Sequence, residues 1–73
     1  MQIFVNTPTS KQVIFEIEPT DLNENIRAII GEKVRCPIDT FRLYFLGKLL
    51  EDGHSLQYYS IQNDTHIRMT FPP

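Results

Sequence analysis

Three side chains in this sequence are of types that carry out nucleophilic or metal chemistry: Cys36, His54 and His66. A catalytic cysteine needs a nearby base, and a metal site needs several Cys, His or carboxylate ligands at a suitable spacing. Cys36 is the single cysteine, and neither histidine lies in a nucleophile motif or beside paired carboxylates. We therefore expect no catalytic residue, no metal and no cofactor, and an enzyme is the least supported class of function.

Length and cysteine count restrict the kind of molecule further. With 73 residues, the chain is expected to form a single domain, 1–73, near the lower size limit for folding on a hydrophobic core alone. A lone cysteine cannot form an intramolecular disulfide, which favours a reducing compartment, here the cytoplasm or the nucleus. The sequence begins without a signal-peptide pattern and its apolar runs are too short to span a bilayer, so we expect no membrane association.

The charged residues do not indicate a nucleic-acid-binding protein. Seven Lys and Arg against nine Asp and Glu give a formal net charge of −2. Arg42, Lys48 and Arg68 are too few to follow a phosphate backbone on a net acidic domain. We expect protein partners rather than nucleic acid, and a monomer.

Hydrophobic alternation predicts four main strands. Apolar residues at 1, 3 and 5 and again at 13, 15 and 17 flank the turn TPTSK, which indicates a β-hairpin. The same alternation recurs at Phe41, Leu43 and Phe45, before the turn LGK, and at Ile67, Met69 and Phe71 in a last strand over 66–71. A helix separates the two pairs, so the predicted order is ββαββ.

The predicted helix has a clear end and an ambiguous start. Apolar residues at 26, 30 and 34 recur every four positions, which is the spacing of one helical face. The start is either a capping box formed by Asp21 and Glu24 or an N-cap at Asn23. The helix is expected to end near Cys36, because Pro37 disfavours helical geometry in the residue before it.

One helix can cover only one face of a sheet, so one sheet face is expected to be buried and the other to meet water. The predicted core consists of apolar residues on the helix and on the inward strand positions: Met1, Ile3, Val5, Val13, Phe15, Ile17, Ile26, Ile30, Leu43, Phe45, Leu50, Leu56, Ile61, Ile67 and Met69. The open face receives the alternate positions of the later strands: Arg42, Tyr44, His66, Arg68 and Thr70, with Lys48 and Leu49 at the rim. This face is therefore predicted to be locally basic with a central tyrosine.

Four segments resemble ubiquitin: MQIFV at 1–5, EPTD at 18–21, RLYFLGKLLEDG at 42–53 and YSIQ at 59–62. The similarity continues without a gap to about Thr70. It implies an α+β, β-grasp fold, in which a mixed sheet packs one face against a single helix and the first and last strands lie parallel at the centre. It also implies a role in or around the ubiquitin–proteasome system.

The end of the sequence departs from that resemblance. Ubiquitin's conjugating tail is a flexible segment that ends in two glycines, whereas Phe71, Pro72 and Pro73 stand where it begins. Proline fixes φ and lacks an amide donor, so it fits an extended, hydrogen-bonded channel poorly. We expect an interaction domain that is not conjugated through its C-terminus. The alternative is a diverged modifier whose native chain continues past residue 73 to a diglycine.

The open face departs as well. Ubiquitin receptors mostly grip an aliphatic patch with a histidine beside it, and the corresponding positions hold Pro8, Tyr44, Thr70 and Arg68. The nearby Arg42, Gly47 and Lys48 are unchanged in kind. Together with Leu49 and His66, these residues form the predicted partner-binding set. The resemblance implies partners of the kind that bind ubiquitin-like domains, such as receptor-like or proteasome-associated domains, and enrichment of tyrosine and arginine at interface hot spots supports a protein partner.

Further correspondences concern modification. Lys11, Lys33 and Lys48 match three lysines that carry chains on ubiquitin, so they are possible acceptor sites. Thr65 stands where ubiquitin has a serine that is phosphorylated, although a hydroxyl in a turn is more often a cap.

Two expectations concern stability. Arg27 is expected to take part in a partly buried ion pair with Asp52, as the family's lysine does. Ser10, Arg35 and Leu46 stand where ubiquitin has glycine or alanine in turns that favour positive φ. Each such residue costs about 1 kcal/mol or somewhat more, so the domain should be less stable than ubiquitin.

Overall fold

The computed structural model describes residues 1–72, and it consists of one mixed sheet and one α-helix. The strands are β1 (Gln2–Asn6), β2 (Gln12–Glu16), β3 (Arg42–Phe45), β4 (Lys48–Leu49) and β5 (Thr65–Thr70). The helix α1 spans Asn23–Val34, and short 3₁₀ turns occur at Ile38–Thr40 and Gln57–Tyr59. Pro73, the second proline of the predicted departure from the conjugating tail, lies outside the described residues.

The strand order in the sheet is β2-β1-β5-β3-β4. β1 and β5 lie side by side in parallel near the centre, and the other neighbours are antiparallel. This arrangement is the β-grasp predicted above. Parallel neighbours need a long crossover between them, and here the helix and the β3–β4 hairpin lie within it. Among the described residues, no helix has the length and apolar character that a membrane span requires.

The core lies between α1 and one face of the sheet. Twelve of the predicted core residues are buried, whereas Met1, Val13 and Phe45 are only partly buried and pack against its edge. The predicted core set omitted Phe41, which is 1% exposed. Phe41 precedes β3 in extended conformation, so the alternation that buries Leu43 buries it too.

Both predicted caps of the helix were wrong. The residue before α1 is Leu22, and no side chain caps the helix there. The Asp21 carboxylate instead accepts a hydrogen bond of 3.0 Å from the Glu18 backbone N–H. The Glu24 carboxylate accepts one of 2.9 Å from the Gly53 N–H. Asp21 therefore stabilises the turn before the helix, and Glu24 binds the loop after β4, which the fold brings close to the helix.

Asn23, the other candidate cap, is 2% exposed and joins the helix to the segment after β4. Its side-chain amide donates to the Leu50 carbonyl and to Asp52 Oδ1, each at 3.0 Å. One turn later, the Arg27 guanidinium donates to both Asp52 oxygens at 2.6 and 2.7 Å, and to the Ile38 carbonyl at 2.9 Å. The predicted ion pair is therefore confirmed, and it belongs to a network that includes Asn23.

The helix ends at Val34, two residues before the predicted end, because Arg35 adopts the left-handed conformation. Its φ is 60°, and the φ values of Ser10 and Leu46 are 65° and 52°. The three predicted strained positions are confirmed. The close approach of the chain after this helix end requires glycine at position 31, because a Cβ there would lie 2.6 Å from the Cys36 carbonyl oxygen.

Candidate protein-interaction surface

The open face of the sheet is arranged in rows that cross the strands. Tyr44 lies opposite Arg68, and Arg68 lies opposite Asn6. Arg42 lies opposite Thr70 one step along the same two strands. Because side chains two residues apart in a strand share a face, the sequence pattern and the register together place Arg42, Tyr44, Arg68 and Thr70 on one surface.

Tyr44 lies at the centre of this surface and is half-buried, whereas Arg42 and Arg68 are exposed. Within residues 1–72, the ion pairs join the Met1 amino group to Glu16 and Arg27 to Asp52, so neither open-face arginine is bound to a carboxylate. An unpaired guanidinium beside an aromatic ring can form paired hydrogen bonds to an incoming carboxylate while the ring makes apolar contact. This arrangement suits an acidic and partly apolar protein surface.

A cavity of about 380 Å³ opens beside Tyr44, lined also by Asn6, Leu46, Gly47, His66 and Arg68. Leu46 is 89% exposed, and its φ is positive at 52°. Gly47, with φ of 78°, completes the turn. Leu46 therefore adds exposed apolar area beside the half-buried Tyr44, and it was not among the predicted partner-binding residues.

His66 extends the surface towards the first hairpin. Its ring stacks on Phe4 with a centroid distance of 4.8 Å and an interplanar angle of 20°. A hydrogen bond of 3.3 Å joins its Nδ1 to Gln12 Nε2. Ile14 lies opposite Phe4 and is 54% exposed. The alternation in β1 already assigned Phe4 to the face opposite Ile3, but only the parallel β1–β5 register places it beside His66.

The two predicted rim residues, Lys48 and Leu49, lie on opposite faces of the sheet at its edge. In the β3–β4 ladder, Leu49 pairs with Tyr44 and Lys48 pairs with Phe45. Leu49 therefore lies beside Tyr44, whereas the Lys48 ammonium lies 5.7 Å from the Tyr59 ring centroid. Lys48 is an edge residue and not a neighbour of Tyr44.

Pro8 lies in the exposed β1–β2 turn, at the other end of the surface. It lines a groove of about 640 Å³ together with Arg68, Thr70 and Phe71. Pro8 and the open face therefore form one continuous surface on the side where β5 ends.

The remaining predicted residues lie outside the cavity beside Tyr44. Lys11, Lys33 and Lys48 are all exposed. The thiol of Cys36 donates to the Val34 carbonyl at 3.7 Å, and His54 stacks on Tyr58 with a centroid distance of 4.0 Å. In the part of the chain that the structure describes, no group of three or more His, Cys, Asp or Glu side chains is placed to hold a metal ion.

Comparison with known protein families identifies this arrangement. The model of the Ubiquitin family matches residues 3–71. This chain belongs to the ubiquitin family. The β-grasp fold follows from that membership, and members of the family are in general modifiers or interaction domains rather than enzymes.

Two kinds of relative are similar to this ubiquitin-family domain. NEDD8-like protein RUB3 of Arabidopsis thaliana is 35% identical over 69 residues, which cover 94% of this chain and 88% of the relative. Ubiquitin-like protein 4A of Homo sapiens is 27% identical over 73 residues, and that of Xenopus tropicalis is 33% identical over 69. The chain spans just under half the length of the ubiquitin-like protein 4A relatives, at 46% and 47%.

Proposed function

We propose that this ubiquitin-family domain is a non-enzymatic protein-interaction module whose open face binds a dedicated partner in or around the ubiquitin–proteasome system. It acts as a monomer in the cytoplasm or the nucleus, and it binds neither nucleic acid nor membrane. The partner offers acidic side chains around an apolar centre. The lone Cys36, which has no second cysteine with which to bridge, suits a reducing compartment.

One observation supports this proposal most strongly: Tyr44 lies between Arg42 and Arg68 on an exposed sheet face, and both arginines lack a carboxylate partner within residues 1–72. Tyrosine and arginine are enriched among residues that dominate binding energy. The exposed Leu46 and Leu49 add apolar area next to the ring. An aliphatic receptor pocket suits this face poorly, because it would have to bury the Arg68 charge without a partner.

The experiment is a titration of ¹⁵N-labelled domain with a helical ubiquitin-binding domain, with ubiquitin in parallel. We expect the domain to bind more weakly than ubiquitin by about tenfold or more, because an unpaired buried polar group costs about 1 to 3 kcal/mol. The triple variant Tyr44→Ile, Arg68→His, Thr70→Val should regain affinity. Equal binding by the unmodified domain, with amide shifts centred on Tyr44, would refute a changed specificity.

Once a partner is identified, Tyr44→Ala should reduce affinity for it by about 1 to 3 kcal/mol, or roughly five- to 150-fold. Because Tyr44 is half-buried on the open face, the fold should survive, and the spectrum of core amides checks this. The exposed Tyr58 gives a matched control. The variant Tyr58→Ala removes the same kind of side chain at a position outside the open face. Similar losses from both variants would refute a central role for Tyr44.

We also propose that the domain is not conjugated through its C-terminus. Phe71, Pro72 and Pro73 stand where a conjugating tail begins, and proline has a fixed φ and no amide donor. Both prolines would restrict the tail whatever residues follow them. The alternative is a diverged modifier that continues to a diglycine, and its support is the match to the NEDD8-like RUB3 relative, which covers 88% of that protein.

An activation assay distinguishes the two. The chain is extended with Arg-Gly-Gly, and a matched version carries Pro72→Arg and Pro73→Leu as well. Each is incubated with the ubiquitin-activating enzyme and ATP. We expect a thioester, seen as a reducible adduct, only for the version without prolines. Equal thioester formation by both versions would favour the alternative, a diverged modifier.

A further inference from the structure

A second groove lies at the end of the molecule where α1 ends. It has a volume of about 380 Å³ and lies between the β1–β2 turn, the end of α1 and the end of β5. Val13, Val34, Cys36, Met69 and Phe71 provide its apolar lining. Phe71 is 48% exposed, whereas Met69 is 2% exposed, so the groove runs from a solvated rim to the edge of the core.

Three cations surround this apolar lining: Lys11 from the hairpin, and Lys33 and Arg35 from the helix end. All three are exposed, and within residues 1–72 none forms an ion pair with a carboxylate. Cations at a helix C-terminus interact favourably with the helix dipole, which accounts for Lys33 and Arg35. It does not account for Lys11, which reaches the same groove from a different element.

Like charges around one groove repel each other, and the positive potential they create attracts an anion. Apolar side chains at the centre contribute little to binding a small inorganic anion. They favour an apolar group that enters between the charges. The arrangement is therefore complementary to a chain that presents carboxylates on both sides of one apolar side chain.

We propose that this groove is a second protein-binding site, which takes an acidic peptide segment of a partner protein with one apolar anchor residue. The anchor packs between Val34 and Phe71, and the flanking carboxylates pair with Lys11, Lys33 and Arg35. Pro8 and Phe71 line both this groove and the groove beside the open face, whereas Arg42, Tyr44 and Arg68 do not line this groove. Shifts at Lys11 and over residues 33–36 therefore distinguish it from the open face. Acylation of Lys11 or Lys33 would remove a charge and weaken this site.

The test is a titration of the ¹⁵N-labelled 73-residue chain with a short peptide of glutamates and aspartates that has one central leucine. Saturable amide shifts are expected at Lys11, over residues 33–36 and at Phe71. A peptide with serine in place of the leucine should bind more weakly. Raising the salt concentration should weaken both, because exposed ion pairs are screened.

The variant Lys33→Gln should weaken binding of the leucine peptide about two- to fivefold, the range of an exposed ion pair. Asn25→Asp is the matched control. It changes the net charge by the same amount at the exposed start of α1, and it should leave the affinity within about 1.5-fold of the unmodified chain.

Four results would overturn the proposal. Shifts centred on Tyr44 and Arg68 would move the peptide to the open face. Equal binding of the serine peptide would remove the role of the apolar lining, and absence of saturable shifts would remove the site. Amide shifts at the groove that change with protein concentration in the absence of peptide would show that the groove binds a second copy of the chain.

Discussion

Replacing Gly31 with alanine tests how closely the helix end is packed. A Cβ at this position would lie 2.6 Å from the Cys36 carbonyl oxygen, 3.3 Å from Ile38 Cγ2 and 3.5 Å from Phe41 Cε1. The first distance is too short for a carbon and an oxygen that are not bonded. Cys36 is held close to the helix end, because its N–H donates to the Gly31 carbonyl at 2.9 Å.

Two effects of the substitution oppose each other. Alanine in a helix is favoured over glycine by about 1 kcal/mol. Overpacking against Ile38 and Phe41 costs about 1 to 3 kcal/mol, and weakening the hydrogen bond at the helix end costs about 0.5 to 1.5 kcal/mol. The net result is a loss of about 0.5 to 3.5 kcal/mol in the free energy of unfolding.

Urea unfolding followed by far-UV circular dichroism measures this loss, and thermal unfolding gives a second reading. A loss of about 2 kcal/mol lowers the Tm by about 8 to 16 °C in a domain of this size. Arg35→Gly is the control at the same helix end. Because Arg35 has φ of 60°, glycine there should raise the free energy of unfolding by about 1 kcal/mol. If Gly31→Ala is as stable as the unmodified chain, the close approach of Cys36 is not a constraint.

Three further outcomes are expected. Asn23→Ala removes two hydrogen bonds at a buried site and should lower the free energy of unfolding by about 1 to 3 kcal/mol in urea; a change below about 0.5 kcal/mol would contradict that role. Arg27→Lys keeps the charge but not the double hydrogen bond to Asp52, so a loss of about 1 kcal/mol is expected, and an unchanged midpoint would show that charge alone suffices. The hydrogen bond to Glu16 raises the pKa of the Met1 amino group above its ordinary value of 8.0, so its stabilisation is complete below that value and is lost as the pH rises through the raised pKa. Between pH 7 and pH 10 the unmodified chain should therefore lose more stability than Glu16→Gln, and parallel pH profiles would exclude this contribution.

The two proposed surfaces differ in how far the sequence indicated them. Alternation in the later strands placed Arg42, Tyr44 and Arg68 on one open face, since side chains two residues apart in a strand share a face. The second groove had no such signal. The sequence indicates Lys11 and Lys33 only as possible acceptors, because their common groove depends on the hairpin turn folding against the helix end.

The sequence by itself determined the features that arise from short-range periodicity and backbone preference. These features are the strand alternation, the single helix, twelve of the buried core residues and the positive φ of Ser10, Arg35 and Leu46. They could be predicted because each depends on residues within a few positions of one another, or on the resemblance of a whole segment to a known fold.

Tertiary structure alone decided which residues meet across the chain. Asn23 looks like a helix cap in sequence, yet its amide bonds to the segment after β4. Lys48 looks like a neighbour of Tyr44, yet the β3–β4 register turns it towards Tyr59. Local sequence leaves such choices open, because several nearby partners satisfy a polar side chain equally well. The register of the strands and the packing of the helix determine which partner is within hydrogen-bonding distance.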